Sequence, residues 1–355
     1  MLRRQGAAKR CNPVLGHVTL VWADGDPQSW SAFSGSCLCT GTPVWFLNGI
    51  HQYTRKGYET AAKDFDTQDL DVSVVGRSFM ITGANSGIGR ATAVAVARKV
   101  GGTVHMVCRN KDRAEAAREV IVNESGNTEV YVHIVDMEET RQVWEFAEAF
   151  KQQHRTLNVL INNAGCMVHK RETNAEGLEK NFATNTMGEI TVSSGGMLVQ
   201  KLRADDLQSE KGFFDSVMVY AQNKRQQVVL TQHWAKANPV IHFSVMHPGW
   251  VDTPAVSKSM PQFHRMMGER LRRVEQGADT VVWLALSRAA ARTQSGQFFQ
   301  DRRCVPTHLP LAWTHSPAED IQAFIIQLDA LAAAIRSQPD AEPDAHTHPA
   351  TPETL

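Results

Sequence analysis

Tyr220-Ala221-Gln222-Asn223-Lys224 sets a phenol and an ammonium one turn apart on a single helix face. A phenol ionises near pH ~10, so a cation that stabilises the phenolate brings it toward a range useful for proton transfer. Alone, this pair is also what an ordinary solvated helix face looks like. Its setting adds weight. Thr191-Val192-Ser193-Ser194 ends an upstream strand-like run with a hydroxyl able to hold a substrate oxygen. Asn162-Asn163-Ala164-Gly165 follows another apolar run with short side chains and a flexible glycine. Open α/β sheets bind ligands beyond such strand ends.

Thr82-Gly83-Ala84-Asn85-Ser86-Gly87-Ile88-Gly89 follows the apolar Ser78-Phe79-Met80-Ile81 and precedes the helix-like Arg90 to Ala97. This reads as strand, tight glycine turn, helix. The glycines permit positive φ and a close ligand approach, and the helix start offers unpaired N–H groups to an anion. A dinucleotide pyrophosphate is the natural occupant.

The elements that must hold these residues alternate: strand 78–81, helix 87–99, strand 103–108, helix 112–122, strand 130–134, helix 139–153 and strand 157–162. They continue with a helix over 175–187, strand 189–193, a helix around Tyr220 to Trp234, strand 240–245, helix 274–288 and a last strand from Gly296 to Phe299. The strands are apolar without in/out alternation, as in a parallel sheet covered on both faces. The fold class is therefore α/β: a single Rossmann-like, doubly wound parallel sheet flanked by helices.

Five segments follow: a disordered extension over 1–43, an amphipathic helix and linker over 44–73, the Rossmann domain over 74–300, a docking helix region over 301–337 and a disordered tail over 338–355. Phe46, Ile50, Tyr53, Gly57, Ala61 and Phe65 recur at helical steps and suit packing on the domain. Arg55, Lys56 and the aromatics leave peripheral membrane contact through helix 44–65 open, with Glu59 and Asp64 against it. Lys plus Arg and Asp plus Glu are equal at 37 each, which points away from nucleic acid and toward a small-molecule partner. The six cysteines lack zinc-site spacing and read as reduced intracellular thiols, so no metal is expected and the setting reads as cytoplasmic. Basic residues before position 11 and the apolar run 14–23 leave an amino-terminal targeting segment open.

The motifs T-G-x-x-x-G-I-G at Thr82, N-N-A-G at Asn162, V-S-S at Val192, Y-x-x-x-K at Tyr220 and H-P-G-W-V-D-T at His247 stand in one order. In this the chain resembles the short-chain dehydrogenase/reductase family from about Gly76 to Phe299. The resemblance implies that Tyr220 is the general acid/base, that Lys224 lowers its pKa and holds the nicotinamide ribose, and that Ser194, rather than Ser193, positions the substrate carbonyl or alcohol. Asn185 would hold a proton-relay water. Gly83, Ser86, Ile88 and Gly89 would surround the pyrophosphate, Asp136 the adenine, Asn163 the adenosine ribose and Thr253 the nicotinamide side.

The second strand ends at Arg109, where NAD-preferring folds place an acid; a guanidinium there suits a 2′-phosphate, and Arg90 adds a second candidate charge, so NADP(H) is expected. Met260, Phe263, Met266 and Met267 suit an adaptable apolar lid over a lipophilic substrate. One departure stands out. After Gly188 the chain enters the next strand at once, where the family continues its helix, so the crossover is shortened. The nine steps from 185 to 194 reach about 30 Å fully extended, which requires helix 175–187 to unwind or shift, or the strand below Ser194 to shorten. The expected function is thus an NADP(H)-dependent carbonyl/alcohol oxidoreductase with activity impaired by this crossover; the alternative is a catalytically silent nucleotide-binding or interaction protein. Homo-oligomerisation is left open, because family subunit contacts often use the shortened helix.

Overall fold

A computed structural model describes residues 41–187, 192–310 and 312–337. The extension expected up to residue 40, the tail from 338 and crossover residues 188–191 lie outside the described residues. The first described helix begins at Gly41, so its first three residues fall in the segment expected to be an extension.

Two helices, α1 (Gly41–Gln52) and α2 (Arg55–Ala61), precede the sheet. One continuous helix over 44–65 was the expectation; the chain instead breaks at Thr54, whose hydroxyl accepts the Gly57 N–H and caps α2. Tyr53, with Trp45, Phe46 and Ile50, packs on Trp250, Met267 and Leu271, a cluster that does not include Gly57, Ala61 or Phe65 of the expected face. Val44 and Leu47 remain exposed.

The core elements are β1 (Ser78–Thr82), α3 (Gly87–Ala97), β2 (Thr103–Cys108), α4 (Lys111–Ser125), β3 (Val130–Ile134), α5 (Thr140–Gln153) and β4 (Val159–Ile161). Their parallel order is β3-β2-β1-β4, with Ser78 opposite Thr103 and Phe79 opposite Val159. Strand order reverses at β1, which opens a crevice between the ends of β1 and β4. The glycine turn and Asn162–Gly165 therefore share one rim. Phe79, Ile81, Val104 and Met106 face α3 and a later helix through Val96 and Trp283, whereas Met80 and Val107 pack on Phe150 of α5.

Beyond β4 the regular alternation loosens. Residues 174–179 form a turn and not the expected start of helix 175–187, because the Asn174 carboxamide oxygen accepts the N–H groups of Glu176 and Leu178 and Gly177 adopts φ +76°. Helix α6 begins at Lys180, capped by the Glu179 carboxylate, and after Phe182 widens into a π turn, Ala183–Met187. The strand expected over 189–193 is reduced among the described residues to one bridge. Val192 N–H donates to Asn162 and Ser193 N–H to Met246. Leu160 of β4 is left 37% exposed, unusual for an apolar residue inside a sheet.

Helix α7 (Ser216–Ala237) leads to β5 (Ser244–Met246), then α8 (Pro254–Ser259), α9 (Pro261–Met267), α10 (Val274–Leu286), α11 (Arg288–Ala291), β6 (Gln297–Gln300), β7 (Arg303–Cys304) and α12 (Ala318–Ser337). A second sheet has the order β5-β6-β7, parallel and then antiparallel. Helix α12 packs Phe324, Ile325 and Leu328 on Phe182, Leu202, Val229 and Leu230. Among the described residues no helix is long and apolar enough to cross a membrane.

Candidate active site

At the β1 end, Thr82 is buried and its hydroxyl accepts the N–H groups of Asn163 and Ala164 at 3.0 and 2.9 Å, tying the two rims of the crevice together. Gly83 and Gly87 take φ +65° and +53°. A Cβ on Gly89 would sit 2.4 Å from both the Asn163 amide nitrogen and the Gly83 carbonyl, so only glycine allows this turn to close. The Asn163 side chain is spent on the turn, donating to Thr82 and Gly83 carbonyls. For the role implied at the adenosine ribose, that leaves chiefly its side-chain oxygen.

Ser86 stands at the N-cap of α3, yet its side chain makes no capping bond. By contrast Asn110, Asp215 and Thr253 each cap their helices. The first-turn N–H groups of α3 are thus available to an anion. Thr253 lies against this turn, its methyl 3.4 Å from where a Cβ on Gly87 would stand.

Arg109 is exposed at the end of β2, and among the described residues it makes no hydrogen bond or ion pair. Asp136 follows β3, with Val135 N–H bonded to Cys108 and the Asp136 carboxylate accepting Glu138 N–H. Arg109 and Asp136 therefore flank one end of the crevice. Arg90 differs: it lines a groove of about 410 Å³ between α3 and α10, on the outer side of α3. The residues present fit a dinucleotide phosphate: two positive-φ glycines, a helix start without a side-chain cap, and a partnerless guanidinium.

On the other side, α7 carries Tyr220 half-buried and Lys224 buried, with the Lys224 ammonium 5.2 Å from the Tyr220 ring centre. Lys224 Nζ donates to the Val192 carbonyl at 3.0 Å. Burial raises the Tyr220 pKa above its ordinary value and draws Lys224 down to about 8. In this arrangement burial outweighs the expected lowering of Tyr220 by Lys224.

The two serines separate clearly. Ser193 is buried and donates to the Lys224 carbonyl, whereas Ser194 is partly open and its hydroxyl accepts the Gly196 N–H at 3.2 Å. Gly196 packs on Ala221, the residue after Tyr220, so Ser194 lies beside the Tyr220 turn. Asn185 is fully buried in the π turn; its amide bonds the Cys166 backbone on both sides, and its own carbonyl takes Gln227 Nε2 at 2.6 Å. A Cβ on Gly165 would lie 3.2 Å from the Asn185 side-chain oxygen and 3.7 Å from Lys224 Nζ, so all three converge there. Of the expected lid, Met267 and Phe263 are committed to the Tyr53–Trp250 cluster, while Met266 is exposed.

Sequence reasoning missed the supports. Arg225 is buried and caps the turn after Ser194 by donating to the Gln200 and Met197 carbonyls. Arg272 is buried in a two-pronged bond to Asp301 at 2.6 and 2.9 Å and also donates to Gln52, Thr54 and Pro248 carbonyls. No local signal marks either one, since Arg225 stands between Lys224 and Gln226 and Arg272 between Leu271 and Arg273, as on a polar helix face or loop; only the folded chain brings together the several acceptors a buried guanidinium needs.

The family profile described as short chain dehydrogenase matches residues 77–262. Dehydrogenase/reductase SDR family member 12 of Bos taurus is 59% identical over 308 residues, covering 81% of this chain and 96% of that protein. The chain belongs to the short-chain dehydrogenase/reductase family. Other relatives of this short-chain dehydrogenase/reductase include the Homo sapiens member 12, 58% identical over 297 residues with 78% and 93% covered, and Retinol dehydrogenase 12 of Bos taurus, 31% identical over 255 residues with 65% and 79% covered. A short-chain type dehydrogenase/reductase from Mycobacterium marinum shares the fold, with a TM-score of 0.53, 19% identity, and 66% and 96% covered.

Proposed function

We propose that the chain is an NADP(H)-dependent oxidoreductase that interconverts a carbonyl and an alcohol on a lipophilic small molecule. The observation that carries this reading is the meeting of Tyr220, Lys224 and Ser194 on one side of a crevice whose other side has a helix start without a side-chain cap. Gly83, Ser86, Ile88 and Gly89 would hold the pyrophosphate, Arg109 the 2′-phosphate, Asp136 and Asn163 the adenosine, and Lys224 and Thr253 the nicotinamide end. When bound, the cofactor supplies or accepts the hydride.

The chain's own residues orient the substrate and manage its proton. Ser194 Oγ would hold the substrate oxygen beside Tyr220, whose hydroxyl donates its proton as the carbonyl becomes an alcohol. Burial keeps that phenol protonated at neutral pH, which favours carbonyl reduction. Similarity to a retinol dehydrogenase supports a lipophilic substrate.

A specific observation favours a second reading, a nucleotide-binding protein without turnover. The Lys224 ammonium spends one of its three N–H donors on the Val192 carbonyl and the Asn185 carbonyl one of its two lone pairs on Gln227, which engages atoms a proton relay would use. NADPH and NADH titrations with a panel of lipophilic aldehydes and ketones separate the two. Preferential NADPH binding with carbonyl-dependent oxidation supports the enzyme; NADPH binding with no turnover on any carbonyl supports the second reading.

A further inference from the structure

We infer that His247 is a positioning residue for Ser194, acting through the peptide that follows it. His247 stands just past β5, with its own N–H bonded to Phe299 of β6, so the second sheet fixes its backbone. Its side chain reaches across 52 residues of sequence, and Nδ1 accepts the Gly195 N–H at 2.8 Å. Both groups are buried. A Cβ on Gly195 would stand 2.9 Å from the imidazole, so the ring lies directly beneath the chain at that point. The Ser194 hydroxyl is separately turned by the Gly196 N–H.

This bond fixes the ring's chemistry. Accepting through Nδ1 places the proton on Nε2, and Nε2 has no partner among the described residues although it is buried. Tyr53 packs against the ring nearly perpendicular to it, at 4.4 Å between centres. Burial, then the Arg272 charge, hold the ring neutral, its pKa near 3. An apolar side chain would remove the unsatisfied Nε2–H but would strand the buried Gly195 N–H without an acceptor. What the imidazole alone supplies is an acceptor for the N–H directly after Ser194. Arg225 holds the far end of the turn through the Met197 and Gln200 carbonyls, and His247 holds its near end at Gly195, so this anchor bears on where the Ser194 hydroxyl stands relative to Tyr220.

The inference rests on Ser194 as the substrate-facing hydroxyl, and its test separates the two ideas. An asparagine at 247 places its side-chain oxygen where Nδ1 stands; a glutamine places it near Nε2, with similar polarity. In the full chain, His247→Asn, His247→Gln and His247→Leu are compared by hydrogen exchange at the Gly195 amide, by kcat and KM, and by melting temperature. His247→Asn is expected to keep the Gly195 amide protected and kcat within about threefold of the parent. His247→Gln and His247→Leu are expected to speed exchange at least tenfold and lower kcat roughly tenfold to a hundredfold, with the KM for NADPH unchanged. Equal behaviour of the asparagine and glutamine variants overturns the inference. If a variant does not fold, the through-bond coupling between Gly195 nitrogen and His247 Nδ1 in the parent decides: its presence supports the anchor and its absence overturns it. Full turnover in Ser194→Ala would refute the serine assignment, while Gly195 exchange still judges His247.

Discussion

On the cofactor side, β1 and β2 pair in register over five residues and their apolar side chains are buried on both faces, so main-chain ladders set the positions of Gly83, Arg109 and Asp136. On the substrate side the described chain at Val192 pairs through one bridge, and side chains take over. Arg225 holds the turn after Ser194, Gln227 holds Asn185, and Arg272 with Asp301 ties α1, the loop after β5 and the end of β6 together. A ladder distributes its stability over many peptide groups, whereas a side-chain clamp concentrates it in a few residues. Single substitutions should therefore hurt the substrate side disproportionately.

The largest effect expected from this contrast is at Asp301. Asp301→Asn leaves the Arg272 guanidinium buried without its countercharge and should cost about 3–5 kcal/mol in urea unfolding. A loss below about 1 kcal/mol would break the contrast, because the clamp would then carry little.

Lys224→Met should move the other way, adding about 2 kcal/mol at pH 7 while abolishing turnover. The folded pKa of Lys224, about 8, lies below its ordinary 10.5. Between those values the unfolded chain binds more protons, so parent stability rises with pH across that window and the penalty is full below pH 8. The gain from methionine should accordingly shrink from pH 8 upward and vanish near 10.5. A gain that grows with pH would reverse the assignment.

Reinserting a family-length helix and loop after Gly188 should cover Leu160 and restore a strand beside β4, adding about 1 kcal/mol. Melting temperature and carbonyl reduction compared between the two chains check this, with equal values showing that the short crossover does no harm. Smallest in stability is Arg109→Asp, within about 0.5 kcal/mol because the side chain is exposed and unpartnered. Its effect belongs to recognition: the preference for NADPH over NADH should fall at least about tenfold in binding titrations.

The same contrast explains what could be read from the sequence. The glycine turn, Asn162–Gly165 and the Tyr220–Lys224 pair are local patterns whose spacing is their geometry, and the strands of the first sheet follow from apolar runs. Helix 175–187 was misread at its start because Asn174 and Gly177 make a turn that outranks the apolar spacing of Leu178 and Phe182. Thr54 likewise breaks a period that runs through it. Long-range partners leave no local trace: Arg272 meets Gln52 and Asp301, and His247 meets Gly195, only after folding. Of the strand expected over 189–193, the described Val192 and Ser193 pair through one bridge to Met246, a long-range partner that periodicity does not reveal.

The most direct measurement is single-turnover NADPH oxidation with an accepted lipophilic aldehyde, in the parent and in Tyr220→Phe, alongside NADPH affinity for both. Removing only the phenolic hydroxyl takes away the proton donor and leaves the pyrophosphate cradle intact. The expected result is a rate lowered at least about a hundredfold with NADPH affinity unchanged within about threefold. Turnover retained in Tyr220→Phe would contradict the proton-donor role, and with it the reading of this crevice as a carbonyl-reducing site.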